Sequence, residues 1–266
     1  MIRLAVLLAT LRYSDVDRLP KSPADHRIPY GADPLQFADL RLPKGPGPHP
    51  VAVLIHGGCW LSSYNLDHTS AMAAAIAEAG IAVWSIEYRR IGNPGGGWPG
   101  TFDDVEAGAR HLKSIAKQHN LDLNRVAAIG HSAGGQLALY LAARKTIPLK
   151  AAIGLAAITD LARYRALEGN QCGTDFAALM GGSPAEVPER YRAASPIEAR
   201  PAIPQLIFQG ELDNVVPAAF ARDYATAIPK AKLTVFPKAG HFELIAPSTA
   251  EFAEVLAALR RVLGVR

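Results

Sequence analysis

The chain has 266 residues, 49% of them hydrophobic and 20% charged, a size that α/β architectures fill with a single domain. A chain of this length buries roughly 75% of its unfolded surface, so it needs no metal or disulfide staple, and disordered, collagen-like and disulfide-scaffold classes are excluded. Its 28 Lys and Arg against 24 Asp and Glu leave +4, scattered along the chain rather than gathered into a run that would neutralise phosphates, so nucleic acid is not expected as a partner.

At the start, Arg3 precedes an apolar run from Leu4 to Ala9. That run is shorter than the roughly 20 residues of a bilayer-spanning helix, and charged Arg12 follows it where a signal peptide would show small residues. With only Cys59 and Cys172, a four-cysteine zinc site is excluded and at most one internal disulfide is possible. The expectation is a cytoplasmic protein without membrane association, a monomer or homodimer, with no metal and no cofactor.

Pro20 to Pro34, rich in Pro and charge, reads as an irregular lead-in, so residues 1–34 are expected to precede one domain at 35–266. Leu35 to Leu42 partly alternates apolar and polar positions and reads as a strand, ended by the Pro/Gly cluster Pro43 to Pro50. Val51 to Ile55 is unbroken aliphatic sequence, as in strands covered on both faces of a parallel sheet. Helices and strands then alternate. The predicted helices are Asp67 to Ala79, Phe102 to His119, Ala133 to Arg144, Ala218 to Ala227 and Thr249 to Leu263. The predicted strands are Ile81 to Ile86, Arg125 to Ile129, Lys150 to Leu155, Gln205 to Gln209 and Lys232 to Phe236. In Phe102 to His119, Val105, Ala109, Leu112 and Ala116 recur at intervals of three and four and share one face. The order implies an α/β fold: a mostly parallel central sheet, covered by helices on both sides, with ligands beyond the strands' carboxyl ends. Asp160 to Arg200 is too long for a simple connection and is expected to carry short helices as a cap over the site.

Gly130-His131-Ser132-Ala133-Gly134 lies between a predicted strand and a predicted helix. The G-x-S-x-G pattern sets a serine on a turn so tight that small residues must flank it, with the hydroxyl exposed at the top of the sheet. His56-Gly57-Gly58-Cys59-Trp60 follows the strand Val51 to Ile55, where a second backbone N–H donor to an oxyanion would come from. A serine needs a base, and the base needs an orienting acid. Asp213 and His241 each follow a predicted strand, in the chain order Ser, Asp, His. Asp160 and Glu211 remain alternatives for the acid. The remaining histidines fall in predicted loops, on exposed helix faces (His68 among them), or in the two site-shaping motifs.

From about Leu35 to the last helix, the chain resembles the α/β-hydrolases. HGGCW, GHSAGG and Gly240-His241-Phe242-Glu243 together resemble the HGG-bearing branch: hormone-sensitive-lipase-like esterases, kynurenine formamidases and bacterial carboxylesterases or peptidases. Cys59 stands where lipases of that branch carry a third glycine. The resemblance implies Ser132 as nucleophile, His241 as base, Asp213 as its acid, and the N–H groups of Gly58, Cys59 and Ala133 as the oxyanion hole. Trp60 and His131 are candidate substrate-binding residues, although an indole beside two glycines equally well braces the loop.

The implied activity is cleavage of a small ester through an acyl-enzyme. An arylformamide such as N-formylkynurenine comes second and a small peptide third. A relative that only binds a small molecule is the reading from another class, although a binding module has no need of a poised base. A disulfide between Cys59 and Cys172 would tie the cap to the oxyanion loop, since both are expected near one rim.

Overall fold

Strand side chains point alternately to opposite faces, so an unbroken aliphatic strand must be covered on both. His49–Ile55 does this: Val51, Val53 and Ile55 enter one hydrophobic cluster, while Ala52 and Leu54 enter another on the opposite face. The computed structural model describes residues 10–169 and 171–265. The apolar run Leu4 to Ala9 lies outside the described residues.

In chain order the elements begin with α1 (Tyr13–Asp17), β1 (His26–Pro29), β2 (Phe37–Arg41) and β3 (His49–Ile55). A 3₁₀ turn at Leu66–Thr69 leads into α2 (Ser70–Glu78), then β4 (Ala82–Ile86), α3 (Gly100–Ile115), β5 (Leu121–His131), α4 (Ala133–Arg144) and β6 (Ala151–Leu155). The cap follows with α5 (Leu161–Arg165), α6 (Phe176–Met180) and α7 (Pro188–Ala194), and the chain ends with β7 (Gln205–Gly210), α8 (Ala218–Ala227), β8 (Ala231–Phe236) and α9 (Ala250–Leu263).

The eight strands form one sheet in the order β1-β2-β4-β3-β5-β6-β7-β8. From β4 onward every neighbour is parallel, and β1 and β2 add an antiparallel edge. Helix α3 lays Val105, Ala109 and Leu112 on one face, and α9 lays Phe252, Val255, Leu259 and Leu263 on the other. Each such side chain contributes about 1.5–3 kcal/mol when fully buried, which fixes the rotation of each helix against the sheet. Among the described residues no helix is long and apolar enough to cross a membrane.

Three elements depart from the sequence reading, the first being α1, a helix within residues 1–34 that were read as lead-in. β1 lies inside the stretch read as irregular lead-in. It is an edge strand paired on one side, its burial confined to a partial one at Ile28, so it carries no alternating pattern to read. The strand expected at Arg125 to Ile129 extends from Leu121 to His131. Its added residues 121–124 alternate apolar and polar and are mostly only partly buried, so they lack the unbroken apolar run that marks 126–129.

Candidate active site

Ser132 sits between the end of β5 and the start of α4 at φ 56° and ψ −120°, backbone that L residues seldom adopt and that the surrounding packing must enforce. Its N–H donates to Leu155 O at 2.8 Å, tying the turn to β6. A Cβ on Gly134 would stand 2.2 Å from Ile55 O and 2.4 Å from His56 O, and one on Gly130 would stand 2.1 Å from Gly134 O. Only glycine fits at either place, which is the physical content of G-x-S-x-G here. Ala133 opens α4, so its N–H has no acceptor within the helix.

The loop after β3 carries positive φ at three successive residues, Gly58 (108°), Cys59 (57°) and Trp60 (56°). Trp60 holds this shape from below: it is fully buried, its indole N–H donates to Gln136 Oε1 at 3.1 Å, and its ring meets Phe176 edge-on. His56 Nδ1–H donates to Gly57 O at 2.7 Å, which leaves Nε2 to accept from Arg90 Nη1 at 3.2 Å. Burial, then the Arg90 charge, push His56 down to about 3, so its ring is neutral. Arg90 pairs in turn with buried Glu87, whose other oxygen accepts from Leu66 N–H. The N–H groups of Gly58 and Cys59 have no acceptor among the described residues.

Asp213 lies in the turn after β7 and His241 in the loop after β8, joined by His241 Nδ1–H donating to Asp213 Oδ2 at 2.7 Å. Asp213 also accepts from Val215 N–H and Val216 N–H at 2.8 Å each and from Gln209 Nε2 at 2.9 Å. Burial works to raise its pKa, but the facing His241 and these hydrogen bonds outweigh burial and hold the carboxyl below its ordinary value. The two alternative acids are engaged elsewhere. Asp160 caps α5 by accepting from Arg163 N–H, and Glu211 pairs at the surface with Arg222.

Ser132 and His241 line one cavity of about 100 Å³, together with Gly58 and Cys59. Tyr13, Tyr64, His68, Gln171, Val215 and Phe242 complete its wall. None of those six was singled out from the sequence. Phe242 adjoins His241 and Gln171 falls in the expected cap, whereas Tyr13 came from the segment read as lead-in. His68, expected on an exposed face, is instead only 5% exposed, because the 3₁₀ turn at Leu66–Thr69 folds in beneath the loop. The two candidate substrate-binding residues need correction: Trp60 and His131 are both fully buried and neither lines the cavity, Trp60 as the loop's brace and His131 behind His241.

Residues 38–228 match the sequence profile of the BD-FAE family. The chain belongs to the BD-FAE family. The esterase LipC of Mycobacterium tuberculosis is 27% identical over 244 residues, covering 82% of this BD-FAE chain and 60% of its own length. The chain thus spans about 60% of the length of LipC. In fold, this BD-FAE member is similar to a truncated carbohydrate esterase from gut microbiota, with a TM-score of 0.78 at 23% identity over 92% of this chain and all of that one. It is also similar to the propionate-bound esterase Est2 of Thermogutta terrifontis, with a TM-score of 0.73 at 22% identity over 96% and 97% of the two chains. The α/β-hydrolase fold implied by the motifs is therefore the fold of this chain.

The BD-FAE chain carries a disulfide between Cys59 in the loop after β3 and Cys172 in the cap, 113 residues apart, a pairing the sequence left open. Thr174 Oγ1 adds a hydrogen bond to Cys59 O at 3.0 Å, so two adjacent ties join cap and loop. Closing so long a loop removes denatured-state freedom worth about 4–5 kcal/mol in the chain-entropy picture. Cys172→Ser is expected to lower unfolding free energy by about 2–5 kcal/mol in denaturant titration. Added reductant should shift the wild type the same way and leave the variant unmoved. Two free thiols in the denatured, unreduced protein would contradict the bond.

Proposed function

We propose that this chain hydrolyses small neutral carboxylic esters through an acyl-enzyme on Ser132, as a serine hydrolase of the carboxylesterase type. The observation that carries the reading is the 2.7 Å His241–Asp213 pair. With Nδ1 engaged, Nε2 is the nitrogen left for the cavity that Ser132 shares. The similarity to a protein named an esterase, LipC, supports it.

In this mechanism His241 Nε2 takes the Ser132 proton as Oγ bonds to the acyl carbon. The carbonyl oxygen becomes an oxyanion held by the N–H groups of Gly58, Cys59 and Ala133. His241 then gives its proton to the departing alkoxide as the ester C–O bond breaks. Water repeats the sequence on the acyl-serine, its proton going to His241, and the acid and free serine are released. Asp213 holds Nδ1–H and so fixes which nitrogen faces the serine. Losing one oxyanion donor costs about 100- to 1000-fold in such sites, which makes the braced HGG loop as important as the three side chains.

The cavity is small, walled by Tyr13, Tyr64, Val215 and Phe242, and among the described residues no carboxylate or ammonium group lines it. It suits a short acyl group. The expected result is that p-nitrophenyl acetate is turned over at least about tenfold faster than the octanoate, since a chain longer than the pocket seats its carbonyl only by straining the packed wall, at a cost of about 1–3 kcal/mol. Titration with a fluorophosphonate should label one serine per chain, and parallel assays with N-formylkynurenine and an aminoacyl anilide test the amide readings. A faster formamide than acetate would replace the ester reading. As to compartment, the Cys59–Cys172 disulfide favours an oxidising one over the cytoplasmic default, because the cytosol keeps thiols reduced.

A further inference from the structure

Beside His241 lies a pair of buried histidines that the acyl-transfer chemistry does not use, His131 out of the cavity and His68 at its wall. His131 Nε2 stands 2.9 Å from His241 O, and His131 Nδ1 stands 2.8 Å from His68 Nε2. The two rings are stacked, with centroids 5.0 Å apart, and Tyr13 stacks on the outer side of His68. Both residues are buried, His131 fully and His68 at 5% exposure.

The protons on these four nitrogens follow from elementary accounting. A carbonyl oxygen only accepts, so His131 Nε2 carries a proton and donates it to His241 O. A neutral His131 then has a bare Nδ1, which must accept from a proton on His68 Nε2. His68 is left with a bare Nδ1, and that atom is buried with no partner among the described residues. The competing arrangement protonates His131 on both nitrogens. It would bury a charge beside His241 and leave His68 with an orphaned Nδ1–H. A buried charge with an unmatched donor is the costlier state. Burial, followed by the proximity of His241, agrees with this in pushing His131 down to about 3, and burial likewise pushes His68 down. Space is matched to the pair as well: a Cβ on Gly57 would stand 3.2 Å from both His131 Nδ1 and His68 Nε2 and 2.7 Å from His131 O.

We propose that His68 and His131 are positioning residues: a neutral, single-tautomer pair that fixes the main chain of His241 and thereby aims its imidazole at Ser132. The inference rests on reading His241 as the base. His131 does the holding, and His68 acts through it by forbidding the other tautomer, in which a lone pair on His131 Nε2 would face the lone pairs of His241 O. Neutrality has a second consequence. When His241 becomes an imidazolium during turnover, the ring beside it, 4.6 Å between centroids, adds no opposing charge and does not compete for the proton.

The test compares His68→Leu, which removes the donor, with His68→Gln, whose amide N–H can occupy its place. On p-nitrophenyl acetate, His68→Leu should lower kcat by about 10- to 100-fold, the penalty of a base set about 1 Å off line, with KM changed less than threefold. His68→Gln should recover most of that loss. In the wild type, ¹⁵N spectra of ring-labelled histidines should show two coupled rings in the neutral Nε2–H form at pH 7, a readout that requires no variant to fold. A His68→Leu effect confined to KM, equal losses in Leu and Gln, or a ring spectrum with His131 carrying Nδ1–H would each overturn the pair's role. Fluorophosphonate separates the two levels. Wild type that fails to label overturns the reading of Ser132 itself, whereas wild type that labels while His68→Leu keeps full kcat overturns only the pair.

Discussion

Ser132→Ala is expected to lose ester turnover by about 10⁴- to 10⁶-fold while its thermal midpoint stays at or slightly above that of the wild type. The loss is this large because the oxygen that forms the acyl bond is gone, leaving only the loop donors and general binding to act on the carbonyl. Stability should be spared because the hydroxyl is not the group that makes the elbow. The turn is imposed by the Ser132 N–H to Leu155 O bond and by Gly130 and Gly134, whose missing side chains let the strand and helix backbones approach. The strained φ of 56° is paid whichever small side chain stands there. Burst kinetics with p-nitrophenyl acetate, and melting followed by circular dichroism, check both halves. A variant that keeps more than a hundredth of the wild-type kcat, with unchanged pH dependence, would move the chemistry away from Ser132.

What could be read from the sequence divides along a physical line. The parallel centre of the sheet was legible because strands covered on both faces need apolar side chains at every position, as in Val51 to Ile55. The elbow and the HGG loop were legible because close backbone approach excludes a Cβ, and the sequence records that exclusion as glycine. The proximity of Asp213 and His241 followed from both lying past the carboxyl ends of parallel strands, where the sheet itself brings them together. The edge strand β1 was not legible, since a strand wetted on its outer side has no burial pattern to impose on its residues. Nor was the cavity wall. Tyr13, Tyr64 and His68 reach it from α1 and the loop after β3, and their convergence depends on how those segments fold back rather than on any local period. His68 is the clearest case. A lone histidine in a polar stretch looks solvated, and only tertiary packing reveals it as a buried partner of His131.

That packing gives the molecule a marked sensitivity to acid. His56 and His131 are pushed down to about 3, and His68 also well below its ordinary value, burial being the largest cause at all three. The folded chain therefore excludes protons that the unfolded chain binds once the pH falls below about 6.5. Stability from these residues is complete above that value and is lost as the pH drops toward the folded values, near 3 for His56 and His131 and well below 6.5 for His68. Each histidine contributes a slope of up to about 1.4 kcal/mol per pH unit, so the three together reach about 4 kcal/mol per unit. Set against a total stability of about 5–15 kcal/mol for an ordinary domain, a slope of that order makes the fold markedly less stable in mild acid than at neutral pH. Asp213, held below its ordinary value, adds a loss of the same sign only at still lower pH, where its carboxylate takes a proton. Urea midpoints measured at pH 7, 6 and 5 should fall steeply, with the largest step below pH 6. Midpoints that stay level down to pH 5 would mean that the three rings take up protons alike in the folded and unfolded chains, and so are not shielded from water by the fold.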